Sequence, residues 1–243
     1  MGVIFQGEFV YKLTIAILLM SLVGCASVPA NYGKPEVGSK IGVMLLIDES
    51  PTYQHIGTTI FSNENFSETS NTNYHQKFNH KISTILTNHG HIPKLIAANP
   101  SLLENKNSLF SYIDFKDKYK ATLDKIAQEN TLDFIVIVYP PSGPAWVNSS
   151  AYLSGYGLYS RCIFGSCDAY ALNYVSARIY DAKNKTSLNP MDFGFFEQVP
   201  MPEVNIPDEP NEIQAEQVDA AADKALNNFM TKFTEMLKTS EFI

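Results

Sequence analysis

Residues 133–139, DFIVIVY, constrain the fold more than any other stretch, and Pro140-Pro141 follow directly. Branched and aromatic side chains suit a pleated surface, and proline cannot continue a ladder, so the run predicts a strand that ends there. A second apolar run, residues 41–47 (IGVMLLI), stops at Asp48-Glu49-Ser50-Pro51. It lacks polar alternation, which predicts a strand covered on both faces. Covered strands need helices, and the intervening sequence supplies them. Phe78, Ile82, Ile85 and Leu86 recur at helical spacing within residues 74–88, and Gly90 is a stop signal. Ala121, Leu123, Ile126 and Ala127 mark one face of a helix over residues 117–130, and residues 91–97 form a short strand between the two.

The second half of the chain reads differently. Residues 170–180 alternate: Ala171, Asn173, Val175, Ala177 and Ile179 share one face, and Tyr170, Leu172, Tyr174, Ser176, Arg178 and Tyr180 the other. Residues 181–185 turn, and residues 186–199 return as a strand that Pro190 and Gly194 make an edge or a bulged one. In the last helix, Asn211 is the expected cap with Gln214 as its capping-box partner. Val218, Ala222, Ala225, Leu226, Phe229, Met230, Phe233 and Leu237 form its apolar stripe. The order β-α-β-α-β-β-β-α predicts an α/β (α+β) domain, with a single mixed sheet of three to five strands and helices packed on it.

The amino-terminal end carries an address. Residues 13–23 are an apolar run that only Thr14 and Ser21 interrupt, with Lys12 before it. A bilayer span needs about 20 apolar residues, so this run suits the hydrophobic part of a signal peptide. It ends in Leu22-Val23-Gly24-Cys25, which resembles the lipobox of bacterial lipoproteins. The resemblance implies that residues 1–24 are a cleaved signal peptide, and that Cys25 carries diacylglycerol in thioether linkage. With Ala26 rather than Asp after the cysteine, it implies the cell outer membrane, with the domain facing the periplasm. Pro29, Gly33, Pro35 and Gly38 make residues 25–40 a flexible tether, and residues 41–243 the domain. Two cysteines remain, Cys162 and Cys167, around the turn signal Gly165-Ser166. In an oxidising compartment they predict a disulfide. Redox-active pairs usually have two intervening residues rather than four, and no further metal ligands lie close by.

The segments IGVMLLIDESP, LDFIVIVY, the helix before HGHIPKLI, the hairpin YVSARIYDAKNKTSL and the final helix together resemble the periplasmic α/β domains of envelope proteins. Those domains occur in the curli-secretion channel lipoprotein, in activator lipoproteins of penicillin-binding proteins and in the Tol translocation protein. The chain departs from that layout in the polar loop 62–73 and in the insertion 140–168. The resemblance implies a fold and, at most, a role in envelope assembly.

Chemistry is harder to find. No nucleophile elbow, zinc-protease helix or phosphate loop occurs. The chain is acidic, with a formal net charge of -7 and no basic cluster, so nucleic acid is not an expected partner. Of the histidines His55, His75, His80, His89 and His91, four lie between positions 75 and 91. They are read first as solvated polar side chains, with a metal or hydrolase site in the His75–His91 cluster as the alternative. Asp48 and Glu49 stand where a parallel strand ends, and ligands gather there in open α/β sheets. The insertion 140–168 is aromatic, glycine-rich and nearly uncharged. It predicts a partner-binding surface of Trp146, Tyr152, Tyr156, Tyr159 and Phe164, continued by Tyr170 and Tyr174. The competing readings are that these rings cover the second face of the sheet, or that they form a membrane-facing hairpin. The function expected from all this is a membrane-anchored, non-enzymatic interaction or assembly module. It would use no cofactor and no metal, and would bind an envelope protein or itself. A secretion-channel subunit is the remaining alternative.

Overall fold

The computed structural model describes residues 33–67, 70, 72–109, 114–141, 145–148, 151–188 and 194–243. The expected signal peptide and Cys25 lie outside the described residues. The two expected apolar strands form as β1 (Lys40–Leu45) and β5 (Phe134–Tyr139), paired in parallel at the centre of the sheet. Between them come β2 (Thr52–Ile56), β3 (Glu64–Ser67), α1 (Tyr74–Asn88), β4 (Ile92–Ile96), the short α2 (Pro100–Glu104) and α3 (Asp117–Asn130). After them come β6 (Ala145–Asn148), β7 (Ala151–Leu153), β8 (Gly155–Ile163), β9 (Ser166–Asp181), β10 (Thr186–Leu188), β11 (Gly194–Pro200) and α4 (Ala215–Thr239). The fold is mixed α/β, with four α-helices among the described residues.

The sheet is larger than expected. Nine strands join in the order β3-β2-β8-β9-β5-β1-β4, with β10 and β11 also on β9, while β6 and β7 form a separate pair. The estimate of three to five strands failed for a physical reason. TYQHI and ENFS are polar enough to read as loop, and GYGLYSRCI is broken by glycines. Their strand character comes from pairing to neighbours rather than from local propensity. The expected polar loop 62–73 contains β3, and the expected insertion contains β6, β7, β8 and the start of β9.

β9 organises this sheet. It runs for 16 residues, about 50 Å at roughly 3.3 Å per residue. Its first half pairs with β8 and β11, and its second half with β5 and β10, so both of its edges are filled throughout most of its length. Gly157 in β8 has φ +140°, and a Cβ there would lie 2.2 Å from the carbonyl oxygen of Thr52 in β2. Only glycine allows those two strands to meet. At the opposite border, β4 pairs only with β1, and its Pro93 presents no N–H to another chain.

The helices cover both faces, as the uninterrupted apolar strands require. Ile135, Ile137 and Tyr139 of β5 pack with Leu102 of α2 and with Tyr119, Leu123 and Ile126 of α3. On the other side α1 and α4 lie together, where Phe78 meets Phe229 edge-on at 5.4 Å. The start of α4, Val218 and Ala221, buries Tyr53, Leu158 and Ala171 of the β2-β8-β9 half. The cap of α1 is Asn73, whose side chain accepts from the Gln76 N–H at 2.8 Å. The expected cap of α4 at Asn211 is not used; residues 210–212 form a 3-10 turn and the helix begins at Ala215, with Gln214 in the cap position. The core of residues 33–243 is contained within that one compact unit.

Part of the expected tether is docked. The Gly33 N–H donates to Asp181 Oδ2 at 3.1 Å, the Gly38 N–H to the Gly90 carbonyl at 2.8 Å, and Lys34 pairs with Glu241. Of residues 25–40, only those before Gly33 remain outside the described part.

Candidate functional site

The aromatic insertion separates into a buried part and an exposed part. Tyr156 and Tyr159 stand three positions apart in β8, and each is almost wholly buried, at 2% and 1% exposure. Tyr156 lies under α1, 5.6 Å from the Tyr74 ring and 5.4 Å from Phe78, and its hydroxyl donates toward the carbonyls of Asp48 and Glu49 at 3.0 and 3.1 Å. Burial pushes its phenol far above the ordinary tyrosine range. Tyr159 points to the opposite face, stacked on the half-buried Tyr170 at 5.5 Å and packed with Leu153 of β7, Ile56 and Leu172. Tyr174 is half-buried and meets Phe196 edge-on at 5.8 Å. These four rings cover the sheet, so the residues placed on a partner surface by sequence are for the most part wall and floor. Tyr152 is exposed in β7, opposite Trp146 of β6, whose side chain lies outside the described residues.

Phe164 is different. β8 and β9 are joined by a two-residue turn, Phe164-Gly165, with φ +48° and +83°. Positive φ at both positions is the hairpin turn whose twist matches its strands, and it favours Asn or Gly rather than a large ring. The Phe164 ring is 91% exposed, and Ile163 beside it is partly exposed. Cys162 and Cys167, which face each other across the hairpin, are disulfide-bonded directly behind the turn.

A second loop leans on this tip. Thr58 donates its hydroxyl to the Cys162 carbonyl at 3.4 Å and accepts from the Phe164 N–H at 3.2 Å. The turn that follows, residues 58–62, closes through the Ser62 N–H to the Thr59 carbonyl at 3.0 Å and carries Phe61 at 92% exposure. Sequence reasoning missed Phe61, since it sits in a stretch of Gly, Thr, Ser and Asn that reads as ordinary loop. Phe61, Ile163 and Phe164 are thus exposed apolar side chains carried on a loop and a hairpin tip that are bonded to each other through Thr58. Residues 57–62 and 162–166 hold no charge, and the nearest charged side chains on the hairpin, Arg161 and Asp168, lie opposite each other.

Beneath this end is a hydrogen-bonded group of three. Ser160 Oγ lies 2.9 Å from both the Tyr53 hydroxyl and His55 Nδ1. Burial lowers the His55 pKa and raises that of Tyr53. A serine and a histidine at this distance suggest a nucleophile and its base, yet Ser160 is fully buried. In this arrangement the group ties β2 to β8.

The other sites expected from sequence stay apart. His75 Nε2 is 2.9 Å from the Ile47 carbonyl at the start of α1, and His89 Nδ1 is 2.9 Å from the Ile85 carbonyl at its far end. Fourteen residues of helix, about 21 Å, separate them. His91 is buried against Phe242. Among the described residues no group of three or more His, Cys, Asp or Glu side chains could hold a metal ion. Asp48 pairs with Lys106 at 2.5 Å beside a cavity of about 130 Å³, at the carboxyl ends of β1 and β5, with Tyr156 and Pro140 in its wall. A wider groove of about 610 Å³ runs along the seam of α1 and α4, crossed by Lys77–Asp223 at 2.6 Å. No helix among the described residues is long and apolar enough to cross a membrane.

No protein-family model matches the sequence, and no curated protein matches it. Among solved structures, the hypothetical protein CT253 from Chlamydia trachomatis is similar at 9% identity, over 82% of this chain and 98% of that one, with a TM-score of 0.36. At that score the likeness bears on neither fold nor function.

Proposed function

We propose that this chain is a lipid-anchored, non-enzymatic interaction module of the cell envelope, which docks through the apolar end of its β8–β9 hairpin. The anchor is Cys25, in the sequence Leu22-Val23-Gly24-Cys25, and the domain faces the periplasm from the outer membrane. The supporting observation is the display of Phe61 and Phe164, both more than nine-tenths exposed, on a loop and a turn bonded to each other and backed by a disulfide. Large exposed apolar side chains grouped at one place mark contact surfaces. The positive φ of Phe164 adds to this, because a ring in that conformation costs about 1 kcal/mol and gains no packing in return.

The test uses the full chain in its envelope. Chemical crosslinking should trap the wild-type protein in an adduct, and a Phe61→Ser, Phe164→Ser double variant should lose it while labelling normally with a palmitate analogue. Equal trapping of both proteins would overturn the docking surface. A wild-type chain that takes up no palmitate label, and fractionates unchanged as Cys25→Ser, would overturn the anchor.

A further inference from the structure

We infer that the hairpin end meets a lipid bilayer rather than a protein: Phe61, Ile163 and Phe164 enter the interfacial region of an uncharged, zwitterionic membrane surface. This rests on the reading above that the end is the contact surface, and it names what the surface contacts. Size is the first reason. A specific protein interface takes roughly 20–30 residues on each side and about 800 Å² per partner. The apolar end presents three exposed side chains. Two copies meeting end to end would bury little more than four phenylalanine rings, far below what holds a dimer. A bilayer asks for no complementary area, since each ring gains on its own by leaving water.

Shape and charge agree. The end projects from the tip of a two-residue turn and from a neighbouring loop, so it is a prong. Hot spots in protein partners are surrounded by contacts that exclude water. Here the surroundings are the hydroxyls of Thr58, Thr59, Ser62 and Ser166, groups that hydrogen-bond readily among lipid headgroups. No lysine or arginine lies within residues 57–62 or 162–166, and Arg161 faces Asp168. Without a basic collar, and with a formal net charge of -7, the chain has no attraction to anionic lipid. The disulfide and the Thr58 bonds hold both loops before contact, so little ordering is left to oppose insertion.

The experiment is flotation of residues 33–243, the compact unit that contains the whole described core, with vesicles of phosphatidylcholine and phosphatidylethanolamine. The wild-type domain should float with the vesicles, equally at low and high salt. Phe61→Ser with Phe164→Ser should lower the bound fraction about tenfold at an unchanged melting temperature. Leu103→Ser, which removes an exposed apolar side chain elsewhere, should leave it unchanged. Should the double variant melt early, Phe164→Trp replaces it: it should float as the wild type does, with added emission at shorter wavelength in the presence of vesicles. Absence of flotation, or flotation that the double variant retains, overturns the lipid contact. If flotation fails while the envelope adduct is still lost in the double variant and contains a protein, the docking surface stands and its partner is that protein. If the adduct also persists, the surface itself is wrong.

Discussion

The two ends of β9 lie about 50 Å apart and are built for different ends. At the carboxyl end Asp181 is fully buried, and its carboxylate accepts from the N–H groups of Gly33, Lys183 and Asn184 and from the Asn184 side-chain amide. Every lone pair there has a donor, and the turn to β10 is sealed. At the amino end the turn holds Phe164 in water beside a partly exposed Ile163, on a backbone conformation that a phenylalanine resists. A hairpin of 16-residue reach could have been closed the same way twice. The difference teaches that one end is closed by polar satisfaction while the other leaves apolar side chains exposed, which is the end the proposed function assigns to contact.

Substitutions can break or sharpen that contrast. The largest expected loss comes from Tyr156→Ala, which empties a buried ring site under α1 and should cost about 3–5 kcal/mol in chemical denaturation. It would show that a tyrosine of the same insertion as Phe164 belongs to the core. Asp181→Ala follows, leaving four donors without their acceptor, at about 2–3 kcal/mol. Removing the cross-link with Cys162→Ser and Cys167→Ser should cost at most about 2 kcal/mol, because the loop it closes is short. Contact through the end should weaken more than stability does.

A pH series isolates His55. Its pKa is lowered by burial, so the unfolded chain binds the proton more readily. The stability this gives is present above the unfolded value near 6.5 and falls away as pH drops below it. A melting temperature that declines from neutral to mildly acidic pH, with a shallower decline in His55→Gln, is the expected result. Phe164→Ser is the smallest change in stability, within about 0.5 kcal/mol by denaturation. A loss of several kcal/mol there would mean that the ring is packed, and would erase the contrast.

Much of this architecture was legible in the sequence. β1, β5, α1, α3 and the Asp181 turn announced themselves because their signals are local: apolar runs, helical spacing, and a carboxylate before a tight turn. β2, β3 and β8 did not. Tyr53, Gln54 and His55 are buried through the partners they meet across strands, and Gly157 is needed for an approach that only the fold creates. The aromatic insertion was visible as a cluster, but composition does not tell a ring that faces a helix from one that faces water. Alternation sends Tyr156 and Tyr159 to opposite covered faces, and only the turn position of Phe164 leaves it uncovered. Phe61 had no signal of its own, since its exposure follows from the Thr58 bonds that set its loop against the hairpin.

The most direct test of the contrast between the two ends is photo-crosslinking of the full chain in its envelope from two positions, Phe164 and Lys183, each replaced in turn by a photoreactive residue. The account predicts abundant adducts from position 164 and background from position 183. Adducts from 183 alone, or equal yields from both, would contradict it.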